Sequence, residues 1–345
     1  MIRMSECERC AESLENRYAY CTLCGSPTGY KPPEGGLYAA IKWIGVALML
    51  LCTVMLFFEV YAILWGFGDI WVDIGSSGQA YILILTPSPA LLTELNGIAA
   101  NLWYLFIVIT AIASFVMLLY TSRDGFRNIL KKNIDKIDDM PLYGVVTLFA
   151  AAIAFNLIFN MLVMAAGSDP SVPGHWGPHW GEWYHLLTAA VWEEILCRVL
   201  MIGAPIMVLG LLMKKKGSWR CLLGRFEMDG AAVAFIVISS AIFAYAHLAG
   251  WDIFKIIPTF VVGLALGYLF VKYGIHAAIM LHLLTNYMTS LIWILGDDTG
   301  EALLVLFMLT IVMFGLLFLV IYGIRAARFM RTMVSEAQEP PETVP

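Results

Sequence analysis

Eight long apolar runs leave this chain few folds to choose from. They lie at roughly 38–66, 97–121, 143–167, 183–213, 230–250, 256–273, 275–295 and 301–324. A helix needs ~20 apolar residues to cross a bilayer. Inside lipid every backbone N–H and C=O must find its partner within the protein. Only helices and closed barrels do that, and runs this long and apolar mean helices. Composition agrees: 60% of the residues are hydrophobic and 14% charged, against ~25% charged in a soluble domain. The predicted fold class is therefore an all-α integral membrane protein with about eight transmembrane helices. The net charge of −5 says little about partners, because the charges sit in loops and ends. No basic stripe suggests nucleic-acid binding. No signal peptide is visible, since the first 36 residues are polar and lack an apolar core.

Lysine and arginine set the expected orientation. The 122–142 loop holds Arg123, Arg127, Lys131, Lys132 and Lys136. The 214–228 loop holds Lys214, Lys215, Lys216, Arg220 and Arg225, and the last run is followed by Arg325, Arg328 and Arg331. The alternate loops are nearly free of such residues. The positive-inside rule then puts both termini in the cytoplasm, which an even number of spans would satisfy. Lys42 is expected to snorkel to the inner interface. The stretch SRDGFRNILKKNIDKIDD is either a short interfacial helix, with Phe126, Ile129, Leu130 and Ile134 toward lipid, or a solvated basic loop. The acidic, proline-bearing tail EAQEPPETVP reads as disordered.

The amino-terminal segment carries different chemistry. CERC and CTLC form two C-x2-C pairs, Cys7 with Cys10 and Cys21 with Cys24, ten residues apart. Four thiolates on two tight turns supply a tetrahedral zinc site, although the spacing is shorter than is usual for such pairs. Disulfides are rare in the cytoplasm, and a segment this short, without a core, needs a staple. A structural zinc ribbon is expected there, against a redox or disordered segment. It would serve folding, substrate docking or a protein partner. Cys52, Cys197 and Cys221 read as inert thiols.

Ionisable side chains at the centre of a membrane helix cost ~2.5–3.5 kcal/mol each on insertion scales, so they point to function by default. Three clusters qualify. In WEEILCR, Glu194 and Arg198 are four apart on one helix face and can pair. Glu193 is rotated by ~100° from that face and has no partner in its own helix. An unpaired carboxylate in low dielectric can act as a general base on water. In FAYAH, Phe243 and His247 share one face. In HLLTN, His282 and Asn286 share another, and an asparagine can orient a histidine or donate to an oxyanion. Each cluster alone is as readily structural: an ion pair that staples helices, or a satisfied core histidine. Together they place Glu, His, His and Asn on three apolar helices that a bundle can bring to one polar pocket.

The ordered set EEILCR (193–198), FAYAH (243–247) and HLLTN (282–286) resembles the motifs E-E-x-x-x-R, F-x-x-x-H and H-x-x-x-N of the CPBP (CAAX protease and bacteriocin-processing) family of intramembrane proteases, which includes the CAAX prenyl endopeptidases. The resemblance covers roughly residues 183–290. Gly263 and Gly267 in GLALGYLF, four apart, permit close helix packing between the last two motifs. The resemblance implies an endopeptidase in which Glu193 activates water, His247 holds or deprotonates it, and His282 and Asn286 steady the oxyanion. Glu194, Arg198 and Phe243 would support those groups. The residues also permit a catalytic zinc on Glu193, His247 and His282, but no H-E-x-x-H is present and the metal-free glutamate route is the preferred expectation. The implied substrate is a membrane-embedded or lipid-modified polypeptide, of the prenylated CAAX type in the family.

The expected organisation is thus a ribbon and linker over 1–36, three transmembrane helices over 37–182, a protease core over 183–295, and a last helix with a disordered tail over 296–345. The competing class is a non-enzymatic transporter or scaffold subunit that uses the intramembrane carboxylate and histidines. No inverted repeat supports transport. One feature fits poorly. The span boundaries put His247 near the outer end of its helix, Glu193 near mid-membrane and His282 a third of the way in from the cytoplasm, so the fifth helix is expected to start later, tilt or break. HWGPHW, with His175 and His179, reads as an aromatic interfacial belt rather than a metal site. Asn156 and Asn160 are expected to make interhelical hydrogen bonds.

Overall fold

The computed structural model describes residue 15 and residues 36–77, 80–85, 88–170 and 179–338. The four expected ribbon ligands, Cys7, Cys10, Cys21 and Cys24, lie outside the described residues. Two units make up the chain, Met1–Ile44 and Gly45–Pro345. In the first, the Lys42 ammonium lies over the Tyr38 ring at 4.9 Å. The candidate site lies in the second.

Seven helices among the described residues are long and apolar enough to cross a membrane, and the chain is a multi-pass integral membrane protein. The elements are α1 (Gly36–Ser77), a hairpin of β1 (Ala80–Leu85) and β2 (Pro89–Leu95), α2 (Ile98–Leu130) and α3 (Pro141–Ala165). Then come α4 (His179–Glu194), a π-helical segment (Ile195–Gly203) running on into α5 (Ala204–Leu212), α6 (Gly230–Ala246) and α7 (Ile256–Tyr273). The last are α8 (Ile275–Tyr287), α9 (Ser290–Leu295) and α10 (Asp297–Gln338). Caps match local chemistry. Pro141 opens α3, where its missing N–H costs nothing. Asp229 caps α6 by accepting from the Ala232 N–H at 2.8 Å. Outward faces carry exposed side chains such as Val54, Ile109 and Val320, the surface that lipid covers.

The seventh expected span is corrected. Residues 275–295 are not one crossing helix but α8 and α9, of 13 and 6 residues. At 1.5 Å per residue α8 is about 20 Å long, too short for a ~30 Å hydrocarbon core. It does not need to span, because it is the buried centre of the bundle. It packs against α2, α3, α4 and α7, and its residues from His276 to Leu284 are all buried. The count of eight spans therefore falls to seven, and the even-number argument for the termini no longer stands.

Two loop readings are also corrected. The 122–130 stretch is no separate interfacial helix; it continues α2 to Leu130. The loop after α1 folds into an antiparallel hairpin, with Ala80 opposite Leu95, Leu85 opposite Pro89 and a bulge between Ile82 and Leu83. Asn156 and Asn160 bond to each other within α3, at 3.1 Å, rather than across helices.

The glycine expectation holds. A Cβ on Gly263 would lie 2.9 Å from Ser240 Cβ, and one on Gly267 would lie 2.8 Å from Ile236 Cγ2. Two bare positions on α7 thus seat two side chains of α6, also four apart. Gly274, at φ +108°, makes the tight turn from α7 into α8.

Candidate active site

The opening motif sits where the helix changes register. Pro205 has no N–H to give and its ring disfavours an α turn before it; the nine residues up to Gly203 adopt π-helical geometry instead. Such widened turns leave carbonyls with spare capacity. Here the Ser239 hydroxyl of α6 donates to Cys197 O at 2.7 Å.

Glu194 and Arg198 pair as their spacing predicts. Arg198 Nε donates to Glu194 Oε2 at 3.0 Å, and both side chains are fully buried. Arg198 Nη1 donates to Ser239 Oγ at 3.0 Å, and its guanidinium lies over the Phe243 ring at 5.2 Å. The other Glu194 oxygen, Oε1, accepts from His282 Nδ1 at 2.9 Å. An ion-paired carboxylate is acceptor-only, which puts the proton on Nδ1 and leaves Nε2 facing the site. Glu194 thus bridges α4, α6 and α8.

Glu193 is the odd carboxylate. Its Oε2 is buried, with no hydrogen-bond partner among the described residues, and lies 3.9 Å from His282 Nε2. That is beyond hydrogen-bond length but short enough for one water to touch both atoms. The side chain as a whole is 32% exposed, so the site opens to a surface.

His247 stands at the end of the fifth helix. α6 ends at Ala246 and His247 begins a three-residue 3-10 turn. His247 Nδ1 donates to Phe243 O at 2.8 Å; a carbonyl cannot donate, so Nε2 is again the free nitrogen. Phe243 holds both imidazoles edge-on, with ring centroids 4.7 Å from His247 and 6.0 Å from His282. His247 lies within electrostatic reach of Glu193 and His282. Asn286, one turn beyond His282, donates to Leu186 O of α4 at 3.4 Å. Below it the Tyr287 hydroxyl donates to Trp183 O at 2.9 Å.

The structure therefore brings together Glu193, Glu194, Arg198, Phe243, His247 and His282, with Asn286 on the same face of α8 as His282. Two contributors were not foreseen. Ser239 takes Arg198 Nη1, while Nη2 is buried with no hydrogen-bond partner among the described residues; the only signal of Ser239 was a polar pair, Ser239–Ser240, in an apolar run. Trp192, beside Glu193, donates its indole N–H to Leu83 O of the hairpin at 2.8 Å and meets Trp103 at 4.9 Å. Glu59 on α1 was also passed over. It is fully buried, and neither oxygen has a hydrogen-bond partner among the described residues.

The zinc set that Glu193, His247 and His282 permit, the less favoured of the two routes, is not formed as these side chains stand. Among the described residues no three His, Cys, Asp or Glu groups converge to hold a metal. A tetrahedral zinc at ~2.0–2.1 Å holds its ligands about 3.3 Å apart, whereas Glu193 and His282 are 3.9 Å apart.

Residues 175–288 match the family model described as type II CAAX prenyl endopeptidase, Rce1-like. The match contains all three motifs, and over these residues the chain is similar to the CAAX protease family, as the motifs indicated. No curated protein and no solved structure matches the chain.

Proposed function

We propose that this protein is an intramembrane endopeptidase that hydrolyses a peptide bond with water activated by Glu193. The observation that carries the proposal is the buried, unpartnered Glu193 oxygen facing His282 Nε2, with His282 itself fixed by the Glu194–Arg198 pair. Water held between Glu193 and the His247 and His282 Nε2 atoms gives its proton to Glu193 and adds its oxygen to the scissile carbonyl. The carbonyl oxygen takes up negative charge, and the second amide N–H of Asn286 is a donor for it, joined by His282 Nε2 when that imidazole carries a second proton. Glu193 then passes the proton to the departing amide nitrogen. The C–N bond breaks, leaving a carboxylate and an amine.

Glu194, Arg198 and Ser239 touch none of the reacting atoms. They hold His282 in one tautomer and one orientation, as the outer partners of a catalytic imidazole do. Phe243 packs against both imidazoles. The route is the metal-free glutamate one, with no step through a metal.

The substrate class follows from the family description: a lipid-modified polypeptide of the prenylated CAAX type, reached from the bilayer. The family match favours this reading over a transporter or scaffold. Residues 183–295 form the catalytic core of the proposal. The Lys and Arg distribution favours the cytoplasmic side for the 122–142 and 214–228 loops. Cys7, Cys10, Cys21 and Cys24 are a donor set that suits one structural zinc, in a segment that docks a partner or substrate.

The test uses the purified full chain in proteoliposomes, a prenylated CAAX peptide and its unprenylated twin, with products identified by mass spectrometry. Cleavage of the prenylated peptide at a single bond, preferred over the twin, is expected. Cleavage of neither, together with pH-driven solute flux, would replace the protease with the transporter.

A further inference from the structure

A second polar site lies away from the proposed catalytic groups. A cavity of about 360 Å³ opens where α2, α3 and α7 end or begin on the side of the basic loops. It is lined by Tyr120, Thr121, Arg123, Asp124, Asp139, Pro141, Arg225, Lys272 and Tyr273. Three cations face two carboxylates there. One of these, Asp124, is bound by Arg127 at 3.0 Å and lies 3.9 Å from Arg123, so the positive excess of the rim rests on Lys272 and Arg225. Lys272 spends its ammonium on a backbone oxygen, Asp138 O, at 3.0 Å. Among the described residues neither Lys272 nor Arg225 has a carboxylate within ion-pair distance.

The rim is built rather than incidental. Tyr273 also donates to Asp138 O, at 2.9 Å, and Leu142 N donates to the buried Ser122 hydroxyl at 3.0 Å. Arg225 is held at φ +62°, in the left-handed region that non-glycine residues rarely adopt. It is kept there by Arg225 N to Phe270 O at 3.3 Å and Phe226 N to Val271 O at 3.1 Å. That conformation brings a guanidinium to the cavity opposite Lys272 and Arg123.

The apolar neighbours say how a ligand arrives. Val116, Met117 and Tyr120 are exposed on α2 within two turns of Arg123, and Tyr120 stacks under its guanidinium at 4.2 Å. Apolar helix surface running into a basic cavity is the arrangement that suits an acyl chain joined to a phosphate. Basic pockets between transmembrane helices bind anionic headgroups in this way.

We infer that this cavity binds a phosphate-bearing anion, presented as the headgroup of an anionic phospholipid. The test is native mass spectrometry of the full-length protein in detergent, titrated with phosphatidylglycerol and, in parallel, with phosphatidylcholine. Preference for phosphatidylglycerol is expected. Arg225→Asn, which tolerates the left-handed backbone, and Lys272→Gln, which can still donate to Asp138 O, should each weaken it about fivefold, the factor that ~1 kcal/mol per cation gives. Lys214→Gln, a basic-loop charge outside the cavity, should leave it unchanged. Wild-type affinity in both cavity variants, or an equal loss in Lys214→Gln, overturns the site. Inorganic phosphate is the second arm. Failure to displace the lipid supports a headgroup, whereas displacement sensitive to Arg225→Asn would assign the cavity to free phosphate and overturn the lipid part.

Discussion

Arg198→Ala isolates what the buried pair contributes. The substitution removes a guanidinium that contacts Glu194, Ser239 and Phe243 and is itself fully buried. Breaking a buried pair by deleting one partner typically costs ~3–5 kcal/mol, because the abandoned charge stays in low dielectric. Glu194 has an escape: it can take a proton. For a carboxyl of ordinary affinity, ~4.3, that costs about 3.7 kcal/mol at pH 7 and about 1 kcal/mol at pH 5. The sign follows from linkage. The folded variant then holds a proton that the unfolded chain does not hold at pH 7, so acid favours the folded variant relative to wild type. Equilibrium denaturation in mixed micelles, followed by tryptophan fluorescence, should show a deficit of about 3–4 kcal/mol at pH 7 that shrinks toward ~1 kcal/mol at pH 5. The double variant Glu194→Leu with Arg198→Met should recover most of the stability. It should not recover activity, since His282 Nδ1 has lost its acceptor. A wild-type unfolding free energy for Arg198→Ala at pH 7, or a deficit indifferent to pH, would refute the reasoning.

Three other expectations can be checked on the same preparations. Gly263→Ala puts a methyl 3.1 Å from Ser240 Cα as well as against its Cβ, so α6 and α7 must part. A loss of ~1–3 kcal/mol is expected from overpacking, and an unchanged melting temperature would contradict the tight seam. Trp192→Phe removes the indole donor to Leu83 O, at ~0.5–1.5 kcal/mol; amide exchange in Ala80–Leu85 should quicken while the helices hold, and unchanged exchange would mean that other contacts tie the hairpin. Cys21→Ser with Cys24→Ser should lose one equivalent of zinc without lowering the helical melting temperature; retained zinc would place the metal elsewhere.

Much of this architecture is legible in the sequence because lipid allows few solutions. Apolar length alone locates α1, α2, α3, α6, α7 and α10, and the four-residue spacings of Glu194–Arg198 and Phe243–His247 carry directly into contacts. What escapes is whatever depends on the neighbours. Residues 275–295 are apolar enough to cross, yet α8 stops at Tyr287 because it is wrapped by four helices rather than by lipid. Hydropathy cannot distinguish these two cases. The π-helical turn leaves no periodic trace, though Pro205 hints at it. The hairpin hid between two spans, although AYILIL and the following prolines are strand and turn chemistry. Ser239 matters only once Arg198 is seen beside it.

The most direct test of Glu193 as the base is its own replacement. Wild type and Glu193→Gln would be compared in proteoliposomes for cleavage of a prenylated CAAX peptide, with melting temperature measured on both. General-base action is worth ~10²–10⁴ in rate, so the variant should melt like wild type and cleave at least a hundredfold more slowly, the lower end of that range. A well-folded Glu193→Gln protein that cleaves at close to the wild-type rate would remove Glu193 from the chemistry.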